Sequence, residues 1–233
     1  MSYTNLYPTY RRNKITLSPN TRMDSLFTPT STQKFALGTI LEADDATGRM
    51  WRYAKAGSST ALTRAFMNAS EAPSANGLEI AQTGYTHSVG DQVFNILLTT
   101  SHNYSDHELI DGIMYFNKSA TAASTVGDYY IIKDNKIITD DTVMQIEIAD
   151  EGGLRTAISG TATADEISVI KNPYRDVVVN PTSQAAMVIG VNNVDVTASY
   201  YFWAQFRGPC PIISEDTVVI GAPVGKPATH NTA

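Results

Sequence analysis

Short alternations of apolar and polar residues, broken repeatedly by turn formers, run through most of this chain. Such a pattern predicts strands with one buried and one exposed face. Leu37–Glu42 and Arg49–Ala54 read as a hairpin across "DDATG". Further β-rich runs are "GDQVFNILLTTS" (90–101), "DGIMYFNKSA" (111–120), Tyr129–Lys133 and Thr142–Ile148, with "KDNK" (133–136) as a turn between short strands. "DEISVIKNPYRDVVVNP" (165–181) supplies two more, each stopped by Asn-Pro. "AAMVIGVNNVDVTASYYFWAQFRG" (185–208) reads as a hairpin with Asn192-Asn193 near its turn, and "DTVVIGAP" (216–223) as the last strand. One stretch, 58–72, allows two readings. Ala61, Leu62, Ala65, Phe66 and Ala69 fall on one helical face capped by Ser59 or Thr60, or the stretch is an irregular strand. The expected fold is mainly β: an antiparallel β-sandwich or barrel-like body with an extended N-terminal arm.

Residues 1–34 lack either period and are interrupted by Pro8, Pro19 and Pro29, so they read as that arm. The β-rich body covers 35–225, with the boundary of two small β subdomains, where there are two, near 102–106. Residues 226–233 form a polar tail. Charge sharpens the division. Residues 1–36 carry five cations against Asp24, a net of +4, which leaves −10 for the rest of a chain whose total is −6. Tyr7, Tyr10, Arg11, Arg12, Lys14 and Arg22 are the arm's candidate partner-binding residues. The acidic total argues against a general nucleic-acid binder. No apolar run has the length of a membrane span, and no secretory leader pattern opens the chain, so cytoplasmic synthesis is expected. With a single cysteine, stability is expected from packing or assembly rather than from disulfides or a cysteine zinc cluster.

Candidate chemistry is sparse. "HNYSDHEL" gathers His102, Asp106, His107 and Glu108, but the histidines are not at zinc-helix spacing. Acid pairs occur at Asp44-Asp45, Asp140-Asp141, Asp150-Glu151 and Asp165-Glu166, where turn-forming roles are expected; a glycosidase would need two acids converging across a cleft. Cys210 lies between Pro209 and Pro211 with no adjacent base, which suits a structural thiol. No catalytic residue, metal site or cofactor is assigned, and the chain reads as a non-enzyme. The aromatic run "YYFWAQFRG" (200–208) reads as a strand with rings on both faces, so both faces need cover. Tyr201, Trp203 and Arg207 are its candidate oligomer or shell contacts, and a ligand-stacking platform is the competing reading.

Several phrases, in order, resemble a family of structural proteins from tailed phages of marine and freshwater bacteria, the capsid decoration or cement type. They are "LGTILEADDATGRMWRYAKAG" (37–57), "DGIMYFNKSA" with "GDYYIIKDN" (111–135), "ISVIKNPYRDVVVNPT" (167–182), "IGVNNVDVTASYYFWAQFRGPCPI" (189–212) and "DTVVIGAPVG" (216–225). The resemblance implies a virion protein on the outer capsid surface that bridges neighbouring major capsid subunits. A homo-oligomer is expected, with a trimer favoured, and with neither nucleic acid nor membrane as partner. The arm lies outside the resemblance, and Cys210, within the 189–212 phrase, is not one of the residues that carry it. Two other classes compete: a tail, baseplate or fibre component with a glycan-contacting role, and a β-rich hydrolase.

Overall fold

A computed structural model describes residues 14–17, 26–43, 47–59, 61–71, 80–82, 85–97, 104–119, 127–139, 143–158, 165–180 and 186–213. The chain forms two compact units. Unit 1 comprises Met1–Ala72 and Pro173–Ala233; unit 2 is Pro73–Asn172, so the chain crosses between units there rather than near 102–106. The body is mainly β and its sheets are antiparallel apart from one parallel pair. Among the described residues no helix is long and apolar enough to cross a membrane.

Unit 1 holds β1 (Lys14–Leu17), β2 (Ile40–Ala43), β3 (Met50–Lys55) and β4 (Met67–Ala69), then β11 (Val178–Val179), β12 (Val188–Asn192) and β13 (Tyr201–Arg207). They form one sheet in the order β1-β2-β3-β13-β12-β4-β11. Of the expected arm, residues 14–17 and 26–34 are described: 14–17 form β1, parallel to β2 at the sheet edge, while Leu26 packs in the core and Thr30 bridges Tyr201. The "YYFWAQFRG" strand is β13, held between β3 and β12 in the interior of the sheet. Alternation sends Trp203 to one face, with Trp51, Tyr53, Leu41 and Leu26, and sends Phe202 and Ala204 to the other, with Ala54, Leu62, Ile189 and Val196. Both faces of β13 are thus covered from within unit 1. The 58–72 stretch contains no helix among its described residues. Ala65 sits at φ 65°, which breaks any helical run, and Leu62 bridges Val196 instead.

Unit 2 holds β5 (Ile80–Gln82), β6 (Val93–Leu97), β7 (Ile113–Ser119), β8 (Tyr129–Thr139), β9 (Val143–Ile148) and β10 (Asp165–Ile170). Their order is β5-β10-β7-β8-β9-β6, and the two edge strands approach each other, so the sheet curls around one core. Phe94, Met114, Tyr130, Ile132, Ile146 and Ile167 line that core. "KDNK" is not a turn. It lies inside β8, which continues through two irregularities in its pairing with β9. Asp165 and Glu166 likewise open β10 rather than forming a turn.

Candidate functional site

The ligand-type cluster at 104–109 turns out to be spent on architecture. Asp106 accepts the Ile137 backbone N–H at 2.7 Å, and Glu108 accepts that of Ser105 at 2.7 Å. Asn135 from "KDNK" donates to the Ser105 carbonyl and accepts the Leu109 N–H, tying this loop to β8. His107 Nδ1 lies 2.7 Å from Asp134, and Lys171 lies 2.8 Å from Glu108. Tyr104 is pushed up to about 12 by burial, with Glu108 adding to the shift and Lys171 opposing it, so its phenol stays neutral. Asp150 accepts the Gly152 N–H and meets Arg155, whose guanidinium also reaches Asp128 and lies over the Tyr130 ring. Among the described residues no three His, Cys, Asp or Glu side chains converge as metal ligands. His102, Asp44, Asp45, Asp140 and Asp141 lie outside the described residues, as do Tyr7, Tyr10, Arg11, Arg12 and Arg22. Lys14 opens β1.

The three β13 candidates separate. Trp203 is 2% exposed, packed by Phe35 at 5.3 Å and Tyr53 at 5.0 Å between ring centroids. It cannot reach a partner surface, which corrects the contact role expected for it. Tyr201 is half-buried and stacks on Tyr53 at 5.9 Å, with Lys55 over its ring. Arg207 alone is exposed, at the end of the strand.

Two surface features remain. On unit 1, Arg207 lines an open groove of about 450 Å³ together with Arg52, Tyr174, Phe206 and Cys210. The Arg52 guanidinium lies over Tyr174 at 5.1 Å and over Phe206 at 4.9 Å. One wall is held by Gln205, which donates to the carbonyls of Arg207 and Pro209 and accepts from Asn193. The long-range meeting of β3, β13 and Tyr174 leaves no local motif, so sequence reasoning identified only Arg207 of this set as a contact. Burial pushes the Cys210 thiol upward. Cys210 is therefore expected to react slowly with iodoacetamide near neutral pH, and its rate should climb only at a pH above that at which an ordinary thiol ionises. Labelling as fast as a small free thiol would contradict this.

On unit 2, residues alternate with the core set along β10, β7 and β8. Ile170 pairs with Ile113, which pairs with Ile131; in the next row Tyr115 pairs with Tyr129. These face away from Met114, Tyr130, Ile132 and Val169. Ile170 is 43%, Ile113 37% and Tyr129 58% exposed, which makes an apolar stripe across three adjacent strands.

The architecture defines a mainly β protein of two units, one inserted in the other. No family model matches the chain, and no curated protein matches it either. A solved structure with some likeness is that of the phage phi92 endosialidase. It is 17% identical, with a TM-score of 0.29, over 59% of this chain and 19% of that one. A likeness of that size defines neither fold nor activity.

Proposed function

We propose that the chain is a structural component of a phage virion, a decoration protein that lies on the outer capsid surface and bridges neighbouring major capsid subunits. The observation that carries this reading is the outward stripe of exposed Ile170, Ile113 and Tyr129, with half-buried Ile131 and Tyr115 beside them. A protein that works by contact area needs such a surface, and contiguous apolar stripes rimmed by polar residues mark interaction sites. The order of the phrases quoted above supports the class. The acids and histidine of the 104–109 loop, bound to backbone N–H groups and ion partners, support a scaffold role over hydrolysis. A net charge of +4 on the arm suits an acidic neighbour.

The copy number per purified particle tests the reading. Hundreds of copies, comparable with the shell protein, accord with decoration; a dozen or fewer assign the chain to tail, baseplate or fibre. The stripe gives a second test. Ile113→Lys with Ile170→Lys is expected to keep the fold, because both side chains are on the open face, yet to lose attachment to particles lacking the protein. Full occupancy by this double variant, with unchanged circular dichroism, would remove the stripe from the argument.

A further inference from the structure

We infer that the groove of unit 1 is a docking site for an acidic side chain, presented by a segment of a partner polypeptide with aliphatic neighbours. The charge of the groove is the first reason. Arg52 and Arg207 are its charged lining residues among those described, with no described Asp or Glu beside them, although acids outnumber cations in the chain as a whole. Neither guanidinium has a carboxylate partner among the described residues. The side-chain hydrogen bond of Arg52 is a long one, 3.4 Å to the Gly38 carbonyl. Its fork of N–H donors is left available for a carboxylate, which arginine binds in two-pronged fashion.

Preorganisation is the second reason. Arg52 is fixed over the rings of Tyr174 and Phe206, so little side-chain freedom remains to be lost on binding. The rings also shield it from water on those sides, and a charge pair is stronger where water is excluded. The Gln205 amide bonds hold the backbone of Arg207 and Pro209 in place.

The rim selects the kind of partner. Met187 and Val188 line the groove and are exposed, as is Phe206. Aliphatic side chains next to an acid would cover them. A saccharide would instead need acceptors as well as donors for its hydroxyls, and the two guanidiniums only donate. The amide in the lining, Gln205, is already spent on Arg207, Pro209 and Asn193. The groove would hold such a peptide whether or not the chain sits on a particle.

The test uses the full chain with ¹⁵N-labelled arginine and three probes: acetyl-Leu-Glu-Leu-amide, its Gln counterpart, and a galacturonic-acid oligosaccharide. The Glu peptide is expected to shift the Nε–H signals of Arg52 and Arg207. The Gln peptide should bind about tenfold or more weakly, and raising salt from about 0.05 to about 0.5 M should weaken the Glu peptide several-fold. Arg207→Gln, an exposed change, should reduce binding several-fold with an unchanged fold. Arg52→Lys, which keeps charge and loses the fork, should also reduce it. Equal binding of the Glu and Gln peptides, wild-type binding by Arg207→Gln, or no shift at either arginine up to the solubility of the peptide would overturn the proposal. Shifts caused by the oligosaccharide and not by the peptide would overturn it too, and make the groove an acidic-sugar site.

Discussion

Trp203→Ala is expected to lower the stability of unit 1 by about 3–5 kcal/mol, the range for truncating a fully buried large aromatic. The ring is 2% exposed and is packed by Phe35 and Tyr53 on the sheet face that also holds Trp51 and Leu41. Alanine would leave a cavity that strands β3 and β13, hydrogen-bonded on either side, cannot close. Trp203→Phe should cost less. It refills part of the volume and removes the indole N–H, which is buried without a hydrogen-bond partner among the described residues. Urea unfolding in a Trp51→Phe background, read by circular dichroism, gives the comparison. A Trp203→Ala midpoint equal to that of the parent would show that the ring is not part of the core. Loss of glycan binding in a folded Trp203→Ala chain would revive the stacking-platform reading.

Gly153→Ala should damage unit 2 by about 2–5 kcal/mol, the sum of a left-handed backbone penalty and overpacking. Gly153 has φ +67°, and a Cβ there would sit 2.2 Å from the carbonyl oxygen of Gly90. That oxygen is backbone and cannot swing aside. The two segments are also locked by bonds from Gly90 N–H to the Leu154 carbonyl and from Leu154 N–H to that of Asp91, with Leu154 in the core. Gly127→Ala is the control. Gly127 also has positive φ but nothing within 4 Å of its would-be Cβ, so it should show about 1–2 kcal/mol of backbone cost alone. Equal losses at the two sites, measured by thermal or urea unfolding, would mean that the 150s turn gives way and that the close approach costs nothing.

Strands with full alternation were legible in the sequence. Val143–Ile148 is one, and β13, whose rings on both faces demanded two covers, is another. Both covers come from the same unit, Trp51 and Tyr53 on one side and Leu62 and Val196 on the other, so no partner had to be invoked. Elements decided by distant contacts were illegible. Lys133–Lys136 has the composition of a turn, yet Asp134 and Asn135 are held in β8 by the 104–109 loop. The apolar spacing of 61–69 suits a helix, but pairing of Leu62 with Val196 takes the stretch elsewhere. The groove depends on Arg52, Tyr174 and Phe206, which are far apart in sequence, and Arg207 alone was marked there. The unit 2 stripe could not be seen either. Ile113 and Ile170 look like core residues until register puts them on the outward side of their strands.

Unit 2 is continuous, while unit 1 is assembled from both sides of it. The strands that flank the interruption, β4 and β11, are antiparallel neighbours, with Ala69 opposite Val178. Until the intervening stretch of about 100 residues is compact, bringing these two strands together costs loop-closure entropy of about 4 kcal/mol. Unit 2 can collapse on its own during synthesis, before the last strands of unit 1 have left the ribosome. Once folded, it replaces a long flexible loop between β4 and β11. The expected order of maturation is unit 2 first, then the pairing of β4 with β11. A lesion such as Gly153→Ala would then slow the completion of a sheet to which it does not belong.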